Sequence, residues 1–168
     1  MNTGTMTMDG DGLVIFMGLV PHVFDAPVPF GGTGRIDFDW PSTFTFQQNS
    51  TITNPSIMWS GLLTGTGTVT LEGVNTRASG GLVIASTLRV APGAVFTRAG
   101  GSTDRVTGIL EVAGTLTGSG GVMNLLINGS QSRVRVLSTG TINAPEGLAI
   151  TTENQNTSGV VELAGRLV

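Results

Sequence analysis

The chain has 168 residues, 39% of them hydrophobic and 11% charged, with 26 Gly and a formal net charge of −3. That length suits one domain, or one domain with an extension, and the acidic balance argues against nucleic acid as a main partner. There is no Cys, which excludes a disulfide framework and thiolate chemistry, and no Lys, so all eight bases are Arg.

Charge and aromatic content are uneven. Residues 1–60 hold Asp9, Asp11, Asp25, Asp37 and Asp39 against the single base Arg35, whereas residues 61–168 carry six acids and seven Arg. Phe16, Phe24, Phe30, Phe38, Trp40, Phe44, Phe46 and Trp59 precede residue 60, and only Phe96 follows it. The two regions therefore read as having different tasks. Gly follows no three-residue period; it falls between short apolar runs, where it marks turns.

Residues 1–30 lack a repeat and are expected to form an arm that docks on a partner. Phe16, Phe24 and Phe30 are its candidate docking side chains, because buried aromatic rings often anchor interfaces. Packing inside a cap is the alternative. The apolar run at 13–20 (LVIFMGLV) is far shorter than the roughly 18 residues a transmembrane helix needs. Acids rather than bases precede it, so it reads as a buried strand or docking segment and not as a secretory leader. Asp9-Gly10-Asp11-Gly12 resembles the start of a calcium loop but lacks the ligand spacing and late Glu of an EF-hand. No cofactor is expected, calcium being the one ion the pattern leaves open. His22 is the sole histidine, and without Cys it makes no zinc site.

Residues 31–60 read as an aromatic-rich cap or as first coils, with strands at 35–40, 43–46 and 50–53. Asp37 and Asp39 stand two apart and share one strand face. Such a pair suits Ca²⁺ binding or carboxylate catalysis; a solvated face opposite Ile36, Phe38 and Trp40 is the plainer reading. The Gly-rich stretches at 31–34 and 118–121 precede no helix or Lys and read as turns rather than phosphate cradles.

From residue 61 to 168 one motif recurs: apolar, charged, apolar, a small-residue turn, then another apolar residue. Its copies are Leu88-Arg89-Val90 with Gly93 and Val95, Leu110-Glu111-Val112 with Gly114 and Leu116, Val134-Arg135-Val136 with Gly140 and Ile142, and Val161-Glu162-Leu163 with Gly165 and Leu167. Val69-Thr70-Leu71 fits as an earlier copy. A second apolar column, Ile84, Val106, Ile127 and Ile150, keeps similar steps. Steps of this size fit one coil of a parallel β-helix, whose stacked coils bury a continuous core. The expected fold is all-β, a parallel solenoid of roughly four to five coils; a β-sandwich is the rival arrangement.

The middle residue of each triplet faces solvent. Arg89, Glu111, Arg135 and Glu162 therefore form one column of alternating sign, which favours this register. Asn124, Asn128 and Asn143 suit stacked turns. The N-x-[ST] patterns at Asn49, Asn128 and Asn156 are expected by chance in so polar a chain. The last residues stop inside a motif copy, so a continuing chain or another subunit is expected to cover that end.

The copies LEVAGTL (110–116) and VELAGRL (161–167) resemble the coils of phage tail spike and fibre proteins and of bacterial autotransporter-type adhesins. The resemblance covers residues 61–168. It implies a β-helix and a structural or interaction role, most simply as a virion component with an N-terminal anchor and a projecting solenoid. A secreted adhesin or filament subunit, at the cell surface, is the alternative. A β-helical polysaccharide-cleaving enzyme is a further one, resting on fold analogy and the Asp37/Asp39 pair. The partners this implies are copies of the same chain in a trimer or larger oligomer, other structural subunits, and a cell-surface glycan or receptor, with no nucleic acid and no membrane span.

Overall fold

The computed structural model describes residues 6–39, 41–77, 81–99, 103–152 and 159–168. Trp40 and the glycosylation pattern at Asn156 lie outside them. The described residues form a parallel β-solenoid with three sheets.

Sheet A contains eight strands: Met6–Met8, Pro29–Gly32, Ser50–Ile52, Thr68–Leu71, Thr87–Val90, Ile109–Val112, Arg133–Val136 and Val160–Leu163. Sheet B also has eight: Leu13–Phe16, Arg35–Phe38, Ser56–Trp59, Val74–Arg77, Val95–Ala99, Thr115–Ser119, Thr141–Asn143 and Arg166–Leu167. Sheet C has seven: His22–Phe24, Thr43–Phe46, Leu62–Thr64, Val83–Ile84, Thr103–Val106, Met123–Ile127 and Leu148–Thr152. The chain visits A, B and C in turn, and each strand pairs in parallel with the equivalent strand one coil away. This rules out the sandwich, whose strands would run antiparallel.

Register follows the repeated motif. Leu88, Leu110, Val134 and Val161 are in-register neighbours, with Val69 one coil earlier. Within sheet A, Thr68–Leu71, Thr87–Val90, Ile109–Val112 and Arg133–Val136 alternate half-buried and buried along their length. Their Val and Leu side chains fill the interior, while Thr, Arg, Ile and Glu face out. The motif glycines have a steric reason. A Cβ at Gly114 or Gly140 would collide with the carbonyl oxygen of Ala91 or Val112 in the preceding coil.

The number of turns is about seven rather than four to five. The added coils come from the aromatic region, where the same columns continue in different side chains. Val90, Leu71, Ile52, Phe30 and Met6 form one inward column. Residues 6–32, expected as an arm and the start of a cap, make the first coil and the opening strand of the second. One column also shifts. Ile84, Val106 and Ile127 stack as expected, but Ile127 pairs with Thr152, and Ile150 pairs with Leu125.

The core changes character along the axis. In the first three coils it is a ladder of rings at roughly the inter-strand spacing. Phe16 stacks on Phe38 at 5.5 Å, Phe24 on Phe46 at 4.6 Å, and Phe38 lies 4.7 Å from Trp59. Phe30 meets Phe24 and Phe38 edge-on. From the fourth coil the interior is mainly aliphatic, with Leu88, Val90, Val112, Val134 and Val136 buried.

Candidate functional site

The first coil turns apolar side chains both inward and outward. Phe16 and Phe24 point into the solenoid and are half-buried, and Phe30 is buried. These candidate docking rings are therefore core groups in this structure. The exposed side chains are their neighbours. Leu13 and Ile15 face out from sheet B, Val23 faces out from sheet C, and Met17, Leu19 and Val20 form the corner between them. Their exposures run from 47% at Ile15 to 88% at Leu19.

This corner is tied to the fold beneath it. Arg35 N donates to Gly12 O at 2.8 Å, and Ser42 Oγ donates to Gly18 O at 2.9 Å. Gly18 turns the corner with φ 126°, a conformation L side chains rarely adopt. Sequence reading could not separate the two faces, because both alternate positions of Leu13-Val14-Ile15-Phe16 are apolar. The available signal was that excess itself: in a strand with one face inward, the other two apolar groups must face out.

The charged column on sheet A is continuous. Arg89 lies 3.3 Å from Glu111, Arg135 lies 3.9 Å from Glu111 and 2.7 Å from Glu162, and Arg133 lies 3.7 Å from Glu162. The hydrogen bond to Glu162 holds the Arg135 guanidinium above its ordinary pKa, helped by the charges of Glu162 and then Glu111. These groups sit on the side of the solenoid, where three guanidinium groups share two carboxylates.

A second ionic cluster lies inside the solenoid and has no counterpart in the sequence reading. Arg77 and Arg98 are in-register neighbours on sheet B and point inward, with 0% and 1% exposure. Asp104, on sheet C, faces them. Arg77 Nη1 donates to Asp104 Oδ1 at 2.6 Å, Arg98 Nε lies 2.9 Å from Asp104 Oδ2, and Leu82 N donates to Asp104 Oδ1 at 3.0 Å. Burial lowers the Arg98 pKa, Asp104 opposes that, and Arg77 adds to it. In Val74-Asn75-Thr76-Arg77 the apolar Val74 faces out with Thr76, while Asn75 and Arg77 face in, so the usual binary pattern is inverted. The one available signal was the recurrence of Thr-Arg at 76–77 and 97–98, one coil apart.

The same inversion produces a buried amide ladder. Asn75 Nδ2 donates to Asn54 O at 2.6 Å, and Asn54 Nδ2 donates to Gly31 O and Gly34 O, both at 3.1 Å. The expected turn asparagines do not stack on one another: Asn124 pairs in register with Thr103 and Ala149, and Asn143 with Thr117.

Asp37 and Asp39 are engaged separately. Arg35 grips both oxygens of Asp37, at 2.5 and 2.8 Å, and Asp37 is 6% exposed. That hydrogen bond raises the Arg35 pKa. Asp39 accepts from Ser60 Oγ at 2.9 Å. His22 stacks on Phe44 at 5.4 Å. Among the described residues no three His, Cys, Asp or Glu side chains converge as a metal site would require. No helix among them is long and apolar enough to cross a membrane.

No protein-family model, curated protein or solved structure matches the chain.

Proposed function

We propose that this is a structural and interaction protein: a β-helical fibre, spike or decoration component of a virion, joined to its assembly through the first coil, with the solenoid projecting. The observation that carries this reading is the outward apolar corner of that coil. Leu13, Ile15, Met17, Leu19, Val20 and Val23 stand between 47% and 88% exposed. Together they make a patch on the order of several hundred Å², the size that marks an interaction site on a soluble protein. The rest of the solenoid supports a rigid spacer. Its coils repeat one cross-section, and the charged column on sheet A is internally paired. The coils at 110–116 and 161–167 resemble tail spike and fibre coils and adhesin coils alike, so the cell-surface adhesin stands as the alternative.

The test is localisation. Antibody against the folded solenoid, coupled to gold, is applied to intact source cells and to the particles they release. Label on the particles supports the virion component. Label confined to cells replaces it with the adhesin or filament subunit. Release of reducing ends from a polysaccharide, lost when Asp37 and Asp39 are both changed to Asn, would overturn the structural reading in favour of an enzyme.

A further inference from the structure

We infer that the apolar corner of the first coil is a contact between copies of this chain, each presenting the same patch to the other. This deepens the assembly reading above and rests on it for the first coil's role as the joining element. Three observations select the occupant.

The first is composition. From Gly12 to Phe24 the chain carries no Asp, Glu, Lys or Arg. The six exposed side chains are Leu, Ile, Val and Met, with no Trp, Tyr or Arg among them. Interfaces between different proteins are on the whole about as polar as other surface and draw on Trp, Tyr and Arg anchors. A charge-free aliphatic centre is the pattern of permanent contacts between identical subunits, which resemble a core cut in half.

The second is the frame. Asp9 and Asp11 precede the patch, Asp25 follows it, and no Lys or Arg occurs before Arg35, which is held by Asp37. An acidic frame disfavours an anionic lipid surface.

The third is size and symmetry. A patch of several hundred Å², with the adjoining backbone of the first two coils, approaches the roughly 800 Å² per partner of a stable interface. The same patch on both copies can close about a two-fold axis, apolar centre on apolar centre. Carboxylates of one copy then face those of the other at the rim. Salt screens that repulsion, so association tightens as ionic strength rises.

The experiment measures the mass of the full chain by light scattering over a wide range of concentration, at low and high salt. The expected result is at least twice the 17.2 kDa of one chain, with a dissociation constant that falls as salt is added. Leu19→Asp with Val20→Asp should weaken association by about a hundredfold, equivalent to about 2.7 kcal/mol. Circular dichroism checks that the solenoid remains folded. If that variant unfolds, Leu13→Thr with Ile15→Thr removes apolar area while keeping β-formers on the strand, and should weaken association as well. A monomer at every concentration and salt overturns the inference, as does an oligomer that folded variants leave intact. Dissociation on adding salt overturns it, because copies held by opposite charges rather than by the apolar corner come apart in salt. Gold on virions with a monomeric chain would sink this contact alone, whereas a self-associating chain absent from virions would sink only the virion reading.

Discussion

At the scale of single residues, charge location decides energetic weight. Asp104 sits between two buried guanidinium groups, and its removal leaves both without their carboxylate. Breaking a buried ion pair in this way costs about 3–5 kcal/mol. We therefore expect Asp104→Ala to lower the urea-unfolding free energy by that order. Glu162→Gln breaks a comparably short contact on the exposed sheet A column, yet should change stability by less than about 1 kcal/mol. Equal losses in the two variants would contradict the burial argument. Gly140 tests steric fit at the same scale. Its missing Cβ makes room for the Val112 carbonyl, so Gly140→Ala forces two coils apart and should cost about 1–3 kcal/mol, as overpacking does.

At the scale of elements, strands of two to five residues are too short to hold themselves, and their side-chain columns join them. The aromatic ladder is the clearest case. Phe38 touches Phe16, Phe30, Phe44 and Trp59 and is 0% exposed. Phe38→Ala removes the ring that links the first three coils and should destabilise by about 3–5 kcal/mol. Near-ultraviolet circular dichroism should lose its aromatic signal in that variant before the far-ultraviolet β signal falls. Simultaneous loss of both signals would mean the ladder and the aliphatic coils unfold as one unit. The charged column was legible at this scale because it depends on spacing alone: Arg89, Glu111, Arg135 and Glu162 recur at the same place in each triplet. The Arg77–Arg98–Asp104 cluster was not, because Arg in a strand reads as solvent-facing until its neighbours on another sheet are known.

At the scale of the whole molecule, a solenoid is nearly one-dimensional, and each coil is stabilised mainly by the coil on either side. Among the described residues, central coils have two such neighbours and the first has one. Amide hydrogen exchange should therefore be slowest in strands such as Thr87–Val90 and Ile109–Val112 and faster in Leu13–Phe16. If the apolar corner is covered by a second copy, protection of the first coil should rise with protein concentration. Uniform exchange along the axis would contradict nearest-neighbour stacking.

The sequence by itself determined the repeat, the register of sheet A and hence the parallel solenoid. Recurring apolar and charged positions, one coil apart, stack like on like only in parallel strands. It did not determine how many coils there are, because the aromatic coils keep the columns but replace Val and Leu with Phe and Trp. Nor did it determine which side chains of the first coil face out. A period of two shows that a strand has two faces; it identifies the inner one only when the other is polar. Around Leu13-Val14-Ile15-Phe16 both faces are apolar, and around Val74-Asn75-Thr76-Arg77 the polar face is the inner one. In both places the choice was made by tertiary contacts: Phe16 stacking on Phe38 in the next coil, and Asp104 reaching Arg77 from a different sheet.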